Sequence, residues 1–146
     1  MSQSIAARWI VRVHSSGTKP LTVWCQDQLL DLKPPDQIGA VSPVEYLLVS
    51  IATCFALSCR TALAQRDRTG DEFEVIVRGS KAVDLPSRLG EIELEVVFAG
   101  GLERPAEAVV EHAKRLCTVT NTLAQSLQPR FLVRADAAVR QAATDS

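Results

Sequence analysis

The run Ser42-Pro43-Val44-Glu45-Tyr46-Leu47-Leu48-Val49-Ser50-Ile51-Ala52-Thr53-Cys54-Phe55 constrains this chain more than any other segment. Its first four residues spell a helix start. Ser can accept a hydrogen bond at the cap, Pro suits the first helical position, and Glu three residues after Ser can bond back to the cap. The spacing predicts a helix from Ser42 to about Arg66, with Thr69-Gly70-Asp71 ending it. Leu47, Leu48, Val49, Ile51, Ala52, Phe55, Ala56 and Leu57 place apolar side chains on nearly every face. A helix of that kind is expected to be central and covered on several sides. The apolar stretch Val44 to Leu57 is broken by Glu45, Ser50 and Thr53. It also falls short of the roughly 20 residues that cross a bilayer, so a core helix and no membrane contact are expected.

Strands flank this helix. Trp9, Val11 and Val13 alternate with Arg8, Arg12 and His14 within Ile5 to His14. Ser15-Ser16-Gly17-Thr18 is a turn cluster, and Leu21 to Cys25 completes a hairpin. Leu29 to Leu32 offers a short third strand. After the helix, Phe73, Val75 and Val77 alternate with Glu72, Glu74, Ile76 and Arg78. Ile92, Leu94, Val96 and Phe98 alternate with Glu91, Glu93, Glu95 and Val97. Each pattern puts one face on a core and one in water, with Glu91, Glu93 and Glu95 read as solvated sheet surface. Arg104-Pro105 opens a second helix to Leu116, Asn121 to Leu127 offers a further helical piece, and Phe131 to Arg134 a last strand. The order βββ–α–ββ–α–α–β is α+β. A length of 146 residues predicts one domain, 1–146, large enough to hold a core without a bridge or metal.

Sixteen Lys+Arg against 17 Asp+Glu give a formal net charge of −1, which argues against nucleic-acid binding through a strong basic field. Met1-Ser2-Gln3-Ser4 lacks the basic and apolar blocks of a signal peptide, so the cytoplasm is the expected compartment. There, Cys25, Cys54, Cys59 and Cys117 are expected as thiols, and any working disulfide as a transient one.

Cys54 lies inside the apolar helix and Cys117 at the end of the second helix. Two readings stand for both. They are small core hydrophobes, the common fate of unpaired Cys, or reactive thiols, which need a cation, a helix N-terminus or a hydrogen-bond network to form thiolate. Helix dipole gives Cys54 little, so it needs an Arg or His from elsewhere. Cys117 gains if Thr118 to Leu127 is helical, because its sulfur then sits at that helix's N-terminus. Cys59 is about 140° around the helix axis from Cys54, so those two cannot face one small site. Cys25 belongs to a strand. A zinc set of Cys54, Cys117, His14 and His112 has no supporting ligand spacing. His14 and His112 read as surface or helix-face residues.

The two cysteine blocks carry a resemblance. Ser42 to Phe55 resembles the central helix of the OsmC/Ohr family: a Pro, an acidic residue, a Leu- and Ala-rich helix, then Cys. Leu116-Cys117-Thr118-Val119-Thr120-Asn121-Thr122-Leu123 is similar to its second block, usually Cys-Pro-Val-Ser-Asn-Thr-Leu. With the β-rich N-terminus and the two strands between the helices, the resemblance runs from about Ile5 to Val133.

That resemblance implies an OsmC-like fold with an N-terminal β-hairpin sheet, a long buried central helix, a two-stranded segment and a second helix, in an intertwined homodimer with active sites at the subunit interface. It implies a thiol peroxidase reducing organic hydroperoxides, with Cys54 peroxidatic, Cys117 resolving, an external dithiol reductant of lipoyl or small-thiol type, and no metal or organic cofactor. It also implies an acidic partner for the site. Glu45, nine positions before Cys54, matches the broader OsmC-like subgroup, while Val44 stands ten before, and Glu45 has an equal explanation as a cap. The family's hairpin Arg has no counterpart in Ser15-Ser16-Gly17-Thr18-Lys19, which leaves Arg8, Arg12, Lys19 and Arg60 as candidate cations, and Thr118 replaces the usual Pro. These departures point to a divergent OsmC-like member. They also motivate an alternative: a non-catalytic OsmC-like dimer that binds a hydrophobic small molecule.

Overall fold

A computed structural model describes residues 10–14, 22–30, 41–99 and 103–135. The chain divides into two compact units, Met1–Glu45 and Tyr46–Ser146.

The first unit holds an antiparallel sheet in the order β1 (Val11–His14), β2 (Thr22–Cys25), β3 (Gln28–Leu30). His14 pairs with Thr22, and Cys25 with both Val11 and Gln28. The third strand begins earlier than the expected Leu29 because Gln26-Asp27 alone makes the β2–β3 turn. Gln26 adopts φ 55°, the left-handed value that such tight hairpins demand. Arg12 and His14 are exposed, as their alternation predicts. Ile5 to Trp9 and the Ser15–Thr18 turn lie outside the described residues.

Helix α1 (Pro43–Ala64) begins as its sequence dictates. Ser42 N–H donates to Glu45 Oε1 at 3.1 Å, and Glu45 N–H donates to Ser42 Oγ at 3.2 Å, the reciprocal cap that satisfies two otherwise orphaned donors. It ends before Thr69-Gly70-Asp71. Asp67 takes φ 54°, Asp67 N–H donates to Ala64 O at 3.1 Å and Arg68 N–H reaches Leu63 O at 3.0 Å. A left-handed Asp thus closes the helix in the role usually given to Gly. The Arg66 guanidinium adds a bond to Ala62 O at 2.9 Å.

The second unit packs α1 on a mixed sheet ordered β4 (Phe73–Lys81), β5 (Leu89–Phe98), β6 (Arg130–Ala135). β4 and β5 are antiparallel; β5 and β6 are parallel, joined through α2 (Glu103–Leu116) and α3 (Thr118–Leu123). The core unites Ile51, Phe55, Cys59, Ala62 and Leu63 of α1 with Ile92, Leu94, Val96 and Phe98 of β5 and Val109, Val110 and Ala113 of α2. Gly79 permits close approach of helix to sheet, since a Cβ there would lie 3.2 Å from Leu48 Cδ2.

Two expectations change. Within one chain α1 is covered on one side, not all round: Val49 is 53% exposed and Leu57 56%. At 22 residues the helix has the length and apolarity of a membrane span, unlike the shorter stretch read from sequence. Its buried face nonetheless belongs to the protein core. Second, Glu95 is not solvated. It is 8% exposed on the middle strand, and Arg78 (2.8 Å) and Arg134 (2.5 Å) close over it from the neighbouring strands. Glu91 stays exposed, while Glu93 is half-buried between Arg78 at 3.2 Å and Arg130 at 2.6 Å. A strand flanked on both edges by arginines buries charge only because that charge is paired.

Candidate active site

The site grows from two helix positions. Cys54 stands at the edge of the buried face of α1, half-buried, and the next residue, Phe55, is wholly buried. Phe55 fixes the helix here by packing on Phe131 of β6, with ring centroids 5.3 Å apart and planes tilted by 43°. Lys114 of α2 covers the same Phe131 ring, its Nζ 4.5 Å from the centroid. The Ser58 hydroxyl donates to Cys54 O at 2.9 Å, which leaves the Cys54 thiol itself unencumbered by that neighbour.

Cys117 is wholly buried between α2 and α3. Its N–H still donates to Ala113 O at 3.0 Å, and its carbonyl receives Asn121 N–H at 3.1 Å, so it closes one helix and opens the next. It is the N-cap residue of α3, with φ −78° and ψ 102°, because that helix starts at Thr118 and not at the expected Asn121. No capping hydrogen bond to its sulfur is formed, and Thr120 Oγ1 donates to Cys117 O at 3.3 Å.

Cys54 packs against the core cluster that contains Cys117. Burial, first of all, pushes the Cys117 thiol up, against the pull of Thr120, and Cys54 adds to the rise. The expected gain from the helix N-terminus is therefore outweighed: a six-residue helix offers a weak field, while full burial strips the thiolate of water.

Rotation about the helix axis separates Cys59 from Cys54, and that separation holds. Yet Cys59 and Cys117 belong to the same core cluster. Burial, then the nearby Cys117 charge, pushes the Cys59 thiol up to about 12. Spacing along one helix cannot show this, because the third sulfur arrives from another helix. Sequence reasoning also misses Thr120. Its place three residues after Cys117 is the signal that could find it.

The remaining candidates scatter. Glu45 is exposed, belongs to the first unit, and forms the cap; its bond from Ser42 N–H holds the carboxyl below its usual value. Arg12 is exposed on β1, and Arg8 and Lys19 lie outside the described residues. Arg60 is about 120° around α1 from Cys54. It faces an open groove of about 1020 Å³ lined also by Thr53, Ala56, Leu57, Phe73 and Val75. His112 is half-buried, with Nδ1 3.1 Å from Arg66 Nη1, and His14 is exposed. Among the described residues no group of three or more His, Cys, Asp or Glu is arranged to hold a metal.

The same fold recurs among solved structures. The chain resembles an OsmC-like protein from Mycoplasma pneumoniae at TM-score 0.75 and 16% identity, covering 90% of this chain and 99% of that one. It resembles a hypothetical protein from Aquifex aeolicus VF5 at 0.74 and 19%, covering 90% and 98%. It also resembles an organic hydroperoxide resistance protein from Elizabethkingia anophelis at 0.72 and 14%, covering 92% and 100%. At these identities the likeness establishes the fold. Comparison with curated protein sequences finds no match. The family model described as OsmC-like protein matches residues 35–130, a stretch that holds α1, the mixed sheet up to its last strand and both cysteine blocks, and the chain belongs to that family.

Proposed function

We propose that this chain is a thiol-dependent peroxidase that reduces organic hydroperoxides to alcohols, acting in the cytoplasm as a homodimer of one OsmC-like domain. The observation that carries this reading is the pair of cysteines: a half-buried Cys54 packed against the core cluster that holds a wholly buried Cys117. A peroxide can reach the first sulfur, and only the first sulfur can hand oxidation to the second. The name of the Elizabethkingia relative, an organic hydroperoxide resistance protein, carries the same class of compound.

The chemistry balances with no cofactor. The Cys54 thiolate attacks the terminal peroxide oxygen, the O–O bond breaks, the alkoxide takes a proton and leaves as alcohol, and Cys54 becomes a sulfenic acid. Cys117 then attacks the Cys54 sulfur, a disulfide forms and water leaves. An external dithiol, of lipoyl or small-thiol type, reduces the disulfide by exchange. Glu45 is the acidic partner in this reading, orienting the cation that favours the thiolate. Support for a second copy comes from Val49, Leu57 and Leu47, apolar α1 side chains left 53%, 56% and 37% exposed in one chain.

The test is a thiol count after cumene hydroperoxide. Two thiols per chain are lost in the wild type and none in Cys54→Ser; equal losses in both overturn the reading. The second reading, a dimer binding an apolar small molecule without peroxidase turnover, draws on the groove beside Ala56, Leu57, Phe73 and Val75. It requires apolar ligands to raise the melting temperature by mass action while Cys54 stays reduced.

A further inference from the structure

Away from the cysteines, one side chain ties the end of α1 to α2. Arg66 stands just beyond the last residue of α1, Ala64. Its Nη1 donates to Ala62 O at 2.9 Å and lies 3.1 Å from His112 Nδ1, while Nη2 donates to Ala108 O at 3.5 Å. Ala108 and His112 are four positions apart, so the guanidinium spans one turn on one face of α2. Arg66 and His112 are both half-buried.

Donor and acceptor chemistry fixes the state of the ring. A guanidinium only donates, so Nδ1 must accept, and the neutral imidazole carries its proton on Nε2. The two N–H groups of Nη1 are then divided between Ala62 O and Nδ1. A second proton on the ring puts N–H against N–H and sets two positive charges together at this contact, so a hydrogen bond becomes a repulsion. The carboxylates of the surrounding elements lie elsewhere. On α2, Glu111 pairs with Lys114, and Glu107 and Arg115 are exposed. In the turn after α1, Asp67 is exposed and Asp71 pairs with Arg68. Glu91, Glu93 and Glu95 of β5 alternate with the core residues Ile92, Leu94 and Val96, and so belong to the far face of the sheet, where Arg130 and Arg134 of β6 pair with Glu93 and Glu95. Helix α3 carries no charged residue.

We propose that Arg66 and His112 form an acid-released clasp between α1 and α2, closed while the ring is neutral and opened when it takes its second proton. Histidine is the ordinary side chain that changes charge between pH 5 and 8, so the clasp responds to acid in a range that leaves most carboxylates ionised. Its contribution to stability is present at the alkaline end of that range and lost at the acid end. Helix α2 runs on from His112 to Leu116, next to Cys117. In the proposed cycle, the clasp therefore bears on the segment that carries the resolving thiol.

Urea midpoints of the full chain at pH 8 and pH 5.5 test this. His112→Asn keeps an acceptor near the place of Nδ1 and cannot take the proton. Arg66→Met keeps the aliphatic stem and removes the guanidinium. Between pH 8 and pH 5.5 the wild type should lose roughly 0.5 M in midpoint relative to His112→Asn, the size of one hydrogen bond. That loss should vanish when both proteins also carry Arg66→Met. The other titrating groups, including His14, the second of the chain's 2 histidines, are common to each pair compared. A gap that is the same at both pH values overturns the proposal, as does a widening that survives Arg66→Met. Wild type against Arg66→Met reads the clasp without altering the ring: the wild type's advantage at pH 8 should be lost at pH 5.5, and an advantage kept there also overturns the proposal. No peroxide enters these measurements, so failure of the peroxidase reading leaves their outcome untouched.

Discussion

Cys54, half-buried in the middle of α1, packs against the core cluster that holds the wholly buried Cys117 of the α2–α3 junction. In the proposed cycle this difference in burial makes Cys54 the thiol that peroxide oxidises and Cys117 the one that resolves it. Cys117→Ser should therefore keep the first step and lose the second. One thiol per chain disappears on peroxide treatment where the wild type loses two, and excess peroxide carries Cys54 on to a sulfinic acid, a gain of two oxygens by intact mass. Retention of a two-thiol loss in Cys117→Ser would show that another cysteine resolves Cys54.

Glu45 separates into two roles that different substitutions can reach. Ser42→Ala removes the hydroxyl that accepts Glu45 N–H and should cost about 1 kcal/mol of stability with the peroxide reaction unchanged. Glu45→Gln keeps an oxygen to accept Ser42 N–H and removes only the charge. It should leave the urea midpoint in place. It should also slow Cys54 oxidation roughly tenfold, the size of one lost charge-assisted hydrogen bond. A Glu45→Gln protein with wild-type kinetics assigns Glu45 to the cap alone.

Local chemistry makes much of this fold legible in the amino-acid sequence. The Ser42–Glu45 cap depends on four consecutive residues and forms as read. The alternation in β5 assigns Ile92, Leu94, Val96 and Phe98 to the core, and all four are buried. A further helical piece after Cys117 is legible, but it runs Thr118–Leu123 where Asn121–Leu127 is expected. The losses have a common cause. Burial of Glu95 depends on β6 lying parallel to β5, a pairing between strands separated by two helices, and a period of two cannot report it. Closure of α1 at Asp67 needs a left-handed backbone at a residue that rarely takes one. The inclusion of Cys59 and Cys117 in one core is likewise a product of packing between helices rather than of spacing within one.

Glu95 gives a prediction in pH. The Arg78 hydrogen bond, then the Arg134 and Arg78 charges, hold its carboxyl below the ordinary value. A carboxylate depressed in the folded state stabilises the protein above its unfolded pKa, and that contribution fades as pH falls through the lower folded value. Glu95→Gln should be less stable than wild type at pH 7 and at pH 5, with the two converging below about pH 4. Urea midpoints at pH 7, 5 and 3.5 measure this. A gap that stays constant across the series would mean that packing around the side chain, not its charge, supports the strand.

Phe55 anchors the turn of α1 that presents Cys54. It is wholly buried, and its ring meets Phe131 at a centroid distance of 5.3 Å. Phe55→Ala removes the ring and leaves a cavity between helix and sheet, which should cost about 3–5 kcal/mol. Phe55→Leu keeps most of the volume and loses the aromatic contact, so its cost should be smaller. Combined with Phe131→Leu in a double-mutant cycle, it should return a coupling of about 0.5–1.5 kcal/mol. The proposed pair responds with the anchor: loosening this turn moves Cys54 relative to the core that holds Cys117. Disulfide yield per peroxide consumed should then fall in Phe55→Ala under conditions where the protein is still folded, with the missing equivalents recovered as sulfinic acid on Cys54. An unchanged disulfide yield at full cost in stability would separate the core from the chemistry and place the alignment of the two sulfurs in α2 and α3 alone.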